Sequence, residues 1–290
     1  MSRKDIASIR VGRPRRWRGR RANQAEPRIP RPTFTVEILE SELRPGRNDL
    51  ELRASAPLRS GESRTLSFSY DPGPVALPVH IEWTKATQLD VQDGYWEVTP
   101  TGRVRPVPGH EGWDRTLAVT GAFAGGRRVE TELTLRGDPP STGWGFGIFP
   151  LWGGRPDDPG VSPRRGWRFS LLWYYKRMSG FGCSFSEKIG PQPSRFAALY
   201  RDLRLEPDVT YRLVTETWPE RSVDGAHLRW RQRCKWWPAG QPEPPRWTEV
   251  SDDLGAPLPD VPYAVAIFSL HAAVEFGNVS VQALPPGATP

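Results

Sequence analysis

The chain has 290 residues, 37% of them hydrophobic and 25% charged, which is enough for one large core or for a large domain with a smaller neighbour. Its 32 prolines and 28 glycines favour a chain that turns often over a helical protein. No stretch approaches the ~18 apolar residues of a membrane span, and no apolar run of a secretory signal follows the basic N-terminus. We therefore expect neither a transmembrane helix nor a signal peptide, with the cytoplasm as the default location.

Residues 1–32 form an arm with eleven basic residues and two acidic ones, although the whole chain carries a net charge of +7. The excess positive charge therefore lies in this arm. So basic a segment cannot bury enough apolar surface to fold alone, and we expect it to be disordered. It could contact nucleic acid or another anionic surface through counterion release, or it could be a solvated extension with no binding role.

Short strands are predicted from residue 33 onward, where apolar and polar side chains alternate around Phe34, Leu50 and Leu66. Residues 33–88 are therefore expected to form either a small β subdomain or accessory strands on the main domain. We place the boundary between Lys85 and Asp93.

Strand patterns separated by turn residues continue from residue 89 to the C-terminus, and no amphipathic helix longer than Ser194 to Leu199 is evident. Residues 89–284 are therefore predicted to form an all-β, antiparallel jelly-roll β-sandwich, followed by a flexible tail at residues 285–290. The predicted strands fall within residues 94–109, 115–123, 125–137, 143–152, 165–177, 179–188, 200–218, 227–237, 263–271 and 273–282.

The stretch HLRWRQRCKWWPAGQPEPPRW at residues 227–247 is the most regular of these patterns. At a period of two, one side of the strand is mostly apolar and the other is wholly cationic. The mostly apolar side holds Leu228, Trp230, Gln232, Cys234 and Trp236. The cationic side holds Arg229, Arg231, Arg233 and Lys235.

The Pro-rich corner WPAGQPEPPRW at residues 237–247 and the strand EFGNVSV at residues 275–281 resemble the C-terminal part of concanavalin A-like jelly rolls, the laminin-G-like and laminarinase-like group. The resemblance covers residues 89–283. It implies a curved sandwich of two sheets whose concave face often binds sugars, and it implies an extracytoplasmic setting. Some members of the group hydrolyse the sugars.

Aromatic side chains supply the first candidate ligand site, because the apolar C–H faces of a sugar ring fit an aromatic plane. Trp144 and Trp152 lie in Gly- and Pro-rich contexts typical of binding loops. Trp173 and Tyr175 belong to the aromatic side of the strand at residues 165–177. At least half of such aromatic residues are expected to pack in the core instead.

The basic stripe supplies the second candidate site. Arg229, Arg231 and Arg233 repel one another on alternate positions, so their face must be wet or must meet anions. An acidic polysaccharide or a phosphate backbone would fit this face. Acidic neighbours on an adjacent strand, such as Glu216 or Glu249, could equally neutralise it.

Glu130 and Glu132 share one face of a predicted strand and are the candidate catalytic pair, since glycoside hydrolysis needs two carboxyl groups. Laminarinase-like glucanases carry a Glu-x-Asp-x-Glu strand, whereas this chain has only Glu-Thr-Glu. The catalytic roles therefore do not transfer. Two solvated glutamates balanced by Arg127 and Arg128 on an outer sheet are the simpler interpretation.

No cofactor is expected, and aspartates that only form turns are the default interpretation. The alternative is a structural Ca²⁺ of the kind that laminin-G-like sandwiches often hold at a loop rim. The candidate ligands are turn aspartates: Asp157, Asp158, Asp252 and Asp253. The two cysteines, Cys183 and Cys234, lie far apart in the sequence. We expect two buried free thiols, with a disulfide as the alternative.

These patterns lead to a non-catalytic, lectin-like carbohydrate-binding module, which could be part of a larger assembly. One alternative is a glycoside hydrolase or polysaccharide lyase on the same fold. The other is a protein–protein interaction domain. The default cytoplasmic location and the extracytoplasmic setting implied by the resemblance stay open as alternatives.

Overall fold

The computed structural model describes residues 42–56, 59–71, 73, 75–86, 89–112, 115–137, 144–153, 167–175, 180–188, 197–198, 205–221, 228–251, 258 and 261–284. At some strand positions the structure describes the backbone alone and not the side chain. These positions are residues 52–56, 59–62, 167–171, 173, 175, 180–188, 197–198, 221, 228 and 248–251. The basic arm, the tail at residues 285–290 and the four candidate calcium ligands lie outside the described residues.

The described residues form seventeen strands, consistent with the frequent turns of the sequence. In chain order they are β1 (Gly46–Ala56), β2 (Arg59–Tyr70), β3 (Val79–Ile81), β4 (Asp90–Asp93), β5 (Trp96–Val98), β6 (Val104–Pro106), β7 (Arg115–Ala118), β8 (Arg127–Leu135), β9 (Gly145–Trp152), β10 (Trp167–Tyr175), β11 (Gly180–Lys188), β12 (Ala197–Ala198), β13 (Thr210–Arg221), β14 (Leu228–Pro238), β15 (Thr248–Ser251), β16 (Ala264–Leu270) and β17 (Val274–Ala283). A 3-10 helix at Trp83–Lys85 follows β3.

The chain divides into two compact units between Gly73 and Pro74. The first unit contains the antiparallel hairpin of β1 and β2. Its first strand opens at Gly46 with a φ of 85°, a conformation that glycine adopts without steric cost. The Asn48 side chain fixes this turn by donating to the backbone oxygens of Arg44 and Gly46.

The second unit contains two antiparallel sheets. One sheet has the order β12-β11-β10-β9-β16-β7-β4, and the other has the order β15-β14-β13-β8-β17-β6-β5, with β3 also paired to β17. The chain crosses from one sheet to the other repeatedly, for example between β7 and β8, between β8 and β9, and between β16 and β17. Residues 79–81, which the sequence grouped with the N-terminal strands, therefore pair within the second unit.

One apolar core joins the two sheets. Val129 and Leu133 of β8 belong to the same buried cluster as Ile148 of β9 and Ile267 of β16. These four side chains alternate along their strands with residues of the opposite face, as strand geometry requires. The two sheets and their shared core confirm the predicted all-β, antiparallel jelly-roll sandwich.

Ala197 and Ala198 form β12 and pair with Cys183 and Gly182 of β11. They lie within the longest helix-like pattern of the sequence, Ser194 to Leu199. Cys234 is buried and forms no disulfide, as expected for this thiol. No helix among the described residues is long and apolar enough to cross a membrane.

Arg127 faces the core, and its predicted place beside Glu130 on the outer sheet face was wrong. It has the same strand parity as Val129 and is fully buried. Its guanidinium lies 4.1 Å from the centroid of the Phe123 ring. Burial lowers its pKa to about 9, because the charged form loses its hydration. The guanidinium therefore keeps its charge at neutral pH.

Candidate functional site

The candidate site lies on the outer face of β14. Trp230, Gln232 and Cys234 point into the core and are at most 1% exposed. Arg231 and Arg233 lie on the opposite side and are half-buried. The two-sided strand predicted from the sequence is therefore confirmed, and its cationic stripe is part of an outer sheet face.

Carboxylates neutralise most of this stripe. Arg233 pairs with Glu216 of the neighbouring strand β13, and Arg231 lies 3.7 Å from Glu220 of the same strand. The sequence offered pairing with Glu216 as one alternative, and that alternative is confirmed for Arg233.

Glu216 is the carboxylate that binds two arginines of this region. Its side chain is 6% exposed, and both carboxylate oxygens are used. Arg128 of β8 donates to Oε1 at 2.9 Å, and the Nε of Arg233 donates to Oε2 at 2.5 Å. A buried carboxylate is tolerated when hydrogen bonds and opposite charges replace its water. The two arginines are thereby held at fixed positions across three strands.

Trp247 packs over these cations from the Pro-rich loop that follows β14. The centroid of its ring lies 4.0 Å from Nζ of Lys235, 4.4 Å from Cζ of Arg233 and 5.8 Å from Cζ of Arg128. Cations at these distances are attracted by the negative face of an indole. The residue as a whole is partly exposed. We call Arg128, Glu216, Arg233, Lys235 and Trp247 the Trp247 cluster.

The loop that carries Trp247 is fastened to β14 by its own acid. Lys235 forms an ion pair with Glu243, and its ammonium also donates to the Pro244 oxygen at 3.4 Å. The loop begins with a turn in which the Gln241 amide donates to the Pro238 oxygen at 2.8 Å. Proline limits the backbone freedom of this loop, so little further ordering is needed to place the indole.

Acidification should release this loop. The Lys235 hydrogen bond lowers the pKa of Glu243, so the contact stabilises the loop above the ordinary glutamate pKa and is lost as the pH falls through the lowered value. We expect the fluorescence of Trp247, taken as the difference between wild type and Trp247→Phe, to shift towards that of a solvated indole in this acidic window. Glu243→Gln should show the shifted signal already at neutral pH. A wild-type signal that stays constant through the window contradicts this expectation.

The aromatic candidates from the sequence lie elsewhere. Trp144 is 2% exposed and lies in the core, 6.0 Å from Phe146 and 5.4 Å from Tyr174 between ring centroids. Trp152 is 5% exposed and lies 4.9 Å from Phe149 in a smaller apolar cluster. In this structure both side chains are packed among other apolar groups rather than presented to solvent. The backbones of residues 173 and 175 lie in β10, and their side chains are outside the description.

Glu130 and Glu132 lie on the outer face of β8, and each meets arginine. Glu130 is 3.5 Å from Arg128, and Glu132 is 3.0 Å from Arg103 and 3.5 Å from Arg212. The expected balance of the two carboxylates by arginine therefore holds for Arg128. Both side chains retain over a third of their exposure, as the simpler interpretation of solvated glutamates required.

A metal ion has no candidate ligand set in the part of the chain that the structure describes. No group of three or more His, Cys, Asp or Glu side chains is placed there to hold one. The aspartates at positions 157, 158, 252 and 253 lie outside that part, so the proposed calcium site stays a prediction.

Trp247 was not among the ligand residues predicted from the sequence. The loop of residues 239–247 returns to β15, which pairs with β14 through Arg233 and Glu249. A tryptophan directly before β15 must therefore lie beside β14. Recognising this required the pairing of the two strands, which the alternation of side chains does not reveal.

Comparisons with known proteins give structural relatives only. No family model matches the chain, and no curated protein matches it. It is similar to a carbohydrate-binding module from Bacillus subtilis, with 13% identity over 69% of this chain and 98% of the other and a TM-score of 0.39. It is similar to lectin II from Ulex europaeus, with 8% identity over 72% and 99% of the two chains and a TM-score of 0.45.

A third similar structure is a Bacillus subtilis protein of unknown function with a galectin-like fold. It shares 12% identity over 70% of this chain and 98% of the other, with a TM-score of 0.44. The class that the two sheets define is an all-β jelly-roll sandwich.

Proposed function

We propose that this protein is a non-catalytic carbohydrate-binding module whose ligand binds at the Trp247 cluster. The observation that carries the proposal is the partly exposed indole of Trp247, fixed over the cations of β14. An indole plane accepts the apolar C–H face of a sugar ring, and it needs little reorganisation when it is already held in place.

The polar groups around Trp247 suit the hydroxyls of a sugar. Arginine offers several N–H donors in one plane, and the neighbouring carboxylates offer acceptors. Glu243 and Arg246 belong to the same loop as Trp247 and are exposed. A ligand that stacks on the ring can therefore exchange hydrogen bonds with donors and acceptors at its edge, which fixes its orientation.

An acidic polysaccharide is the sugar class that fits this face best. Arg229 and Arg231 continue the stripe beyond Arg233, with Arg229 exposed and Arg231 half-buried. Alternate residues of a strand are about 7 Å apart, so Arg229, Arg231 and Arg233 are spaced along β14 at intervals that an extended chain could follow. Carboxylate or sulfate groups on that chain would form charge-assisted hydrogen bonds with these side chains in addition to the ion pairs that Arg231 and Arg233 form with Glu220 and Glu216.

A binding role without catalysis is supported by the state of the two candidate carboxylates. A glycoside hydrolase needs one carboxyl protonated and the other free to act as nucleophile or base. Glu130 and Glu132 instead meet Arg128, Arg103 and Arg212. These contacts favour a structural role for both glutamates.

The experiment compares wild type with Trp247→Ala on a glycan array that includes neutral and uronate-containing or sulfated polysaccharides. We expect the wild type to retain at least one acidic polysaccharide and the variant to lose affinity about tenfold or more, as for a central binding residue. Tyr95→Ala is the matched control, since Tyr95 is also partly exposed and contacts His110 at 5.0 Å between ring centroids. Its affinity should remain that of the wild type.

Two outcomes would contradict the proposal. Equal losses in the Trp247 and Tyr95 variants would remove the site from the Trp247 cluster. Release of reducing ends or unsaturated products from a bound polysaccharide, abolished by Glu132→Gln or Glu130→Gln, would make the protein an enzyme.

Binding should also weaken as salt is raised, because the ligand charges are screened.

A further inference from the structure

A row of polar side chains crosses the inner face of the sheet that contains β8, β13 and β14. Arg127, Thr217 and Gln232 lie directly opposite one another on these three adjacent strands. Each is completely buried. Most inward positions on either side of the row are apolar, so these groups lie inside the core rather than at its margin.

Most hydrogen-bonding groups of the row are satisfied by protein. The two terminal nitrogens of Arg127 donate to backbone oxygens, including those of Tyr263 at 2.7 Å and Gly125 at 2.8 Å. The Gln232 amide nitrogen donates to the Thr215 hydroxyl at 3.0 Å. This last bond orients the Gln232 amide, and it leaves the amide oxygen as the Gln232 side-chain group that still needs a hydrogen-bond partner.

Three atoms of the row find no hydrogen-bond partner among the described residues. They are Nε of Arg127, Oγ1 of Thr217 and Oε1 of Gln232. Buried polar groups are almost always hydrogen-bonded, and three such atoms on directly opposite residues are an unusual concentration. They comprise one obligate donor, one obligate acceptor and one hydroxyl that can do either.

We propose that one buried water molecule binds between Arg127, Thr217 and Gln232 as a permanent part of the fold. The water accepts the Nε–H of Arg127 and donates one proton to Oε1 of Gln232. Its remaining hydrogen bond is made with the Thr217 hydroxyl. Three partners is the usual number for a buried water, and this arrangement satisfies every atom of the row that protein leaves unpaired.

The mixed chemistry of the row selects water over an anion. The guanidinium alone would suit a buried anion, since Arg127 carries its charge without a carboxylate partner among the described residues. The Gln232 oxygen, however, presents a lone pair that an anion would repel. A neutral molecule that both donates and accepts fits all three atoms.

The test is the sign of the stability change in Thr217→Val, which removes the hydroxyl and preserves the shape. With the water bound, the change breaks a hydrogen bond, and the equilibrium constant for folding should fall by roughly five- to tenfold. Without the water, the change removes an unsatisfied hydroxyl, and the constant should rise. Thr217→Ser keeps the hydroxyl and should stay closer to the wild type than the valine variant.

Thr215→Val is the matched control. The Thr215 hydroxyl already accepts from Gln232 and donates to the Arg233 oxygen at 3.3 Å, so its removal should lower the folding constant in either case. An unchanged or increased constant for Thr217→Val, beside a decreased one for Thr215→Val, overturns the proposal. A gain in wild-type stability when chloride replaces gluconate at equal ionic strength also overturns it and assigns the position to an anion.

A crystal structure of the full chain supplies the direct readout. We expect one ordered water within hydrogen-bonding distance of all three atoms in the wild type and in Thr217→Ser. Density that contains no water at this position in the wild type would be decisive against the proposal.

Discussion

Replacing Arg127 with alanine should lower the free energy of unfolding by about 3–5 kcal/mol. Arg127 belongs to β8 in one sheet, yet it donates to the Pro150 oxygen of β9 in the other, at 3.5 Å. It also donates to the Gly125 and Tyr263 oxygens. The alanine variant loses these charge-assisted bonds and leaves a cavity in the core, and both effects destabilise the fold.

Two opposing terms decide the size of this effect. Removing the charge relieves the cost of keeping a guanidinium out of water, which favours the variant. The backbone oxygen of Tyr263 still accepts the Phe123 amide, so it is not left unpaired. The remaining losses are those of the bonds to Gly125 and Pro150, the contact with the Phe123 ring and the packed volume. We expect these to outweigh the relief of charge because four backbone oxygens already compensate the buried guanidinium for its lost water.

Two further variants separate the contributions. Arg127→Met retains most of the volume and should cost less than the alanine variant, and the difference measures the cavity. Arg212→Ala is the control, because Arg212 is 45% exposed and pairs with Glu132 at 3.5 Å, which predicts a loss under about 1 kcal/mol. Urea unfolding followed by tryptophan fluorescence gives all three values. If Arg127→Ala lowered the free energy of unfolding by as little as Arg212→Ala does, the hydrogen bonds of the buried guanidinium would not be stabilising the fold.

The strands of the second unit were predictable because side chains alternate where one sheet face is buried. In β14, Trp230 and Cys234 are buried while Arg229 is exposed, as the period of two required. In β8, Val129 and Leu133 alternate with Glu130 in the same way. The predicted turns between these strands followed from glycine and proline, whose backbone preferences are local.

Arg127 shows why alternation alone did not place every residue. Its parity matches Val129, but an arginine is rarely buried without an acid, so the sequence favoured the outer face. The groups that satisfy its terminal nitrogens are backbone oxygens of Phe123, Gly125, Pro150 and Tyr263. Every residue has a backbone oxygen, so the residue types of the sequence do not reveal where such acceptors lie. These four come together only because strands that are distant in sequence pack against each other.

The candidate site was only partly predictable for a similar reason. Arg231 and Arg233 were identified from the stripe, and both lie on the outer face. Trp144 and Trp152 were chosen from their Gly- and Pro-rich contexts, yet every residue of β9, which ends at Trp152, is buried. A strand that is covered on both faces shows no alternation. Trp247 depends on the return of its loop to β14, which is a tertiary contact.

Replacing Glu216 with glutamine should also destabilise the protein by about 3–5 kcal/mol, because it breaks a buried ion pair and leaves two cations without their shared anion. Arg128 and Arg233 both bind this carboxylate, and their side chains are 25% and 17% exposed. Water can therefore reach them only in part. The amide of glutamine preserves the shape of the side chain, so the change in charge is isolated.

Glu220→Gln is the matched control on the same strand. Glu220 is 44% exposed and lies 3.7 Å from Arg231, so its loss should cost under about 1 kcal/mol. Combining Glu216→Gln with Arg233→Gln should cost less than the sum of the two single changes, because only Arg128 then lacks the shared carboxylate instead of both arginines. Strict additivity would show that the two side chains act independently.

Glu216→Gln also tests whether the buried ion pair is needed for polysaccharide binding. In the Trp247 cluster, Arg233 contacts both Glu216 and the indole, so the carboxylate holds the cation on which the ring packs. Glu216→Gln should therefore weaken polysaccharide binding under conditions where the variant remains folded, although Glu216 itself is too buried to contact a ligand. Glu220→Gln should bind at least as tightly as the wild type does, because it removes a carboxylate that competes with the ligand for Arg231. Full affinity in a folded Glu216→Gln variant would mean that the position of Trp247 is set by its Pro-rich loop alone, without the buried carboxylate.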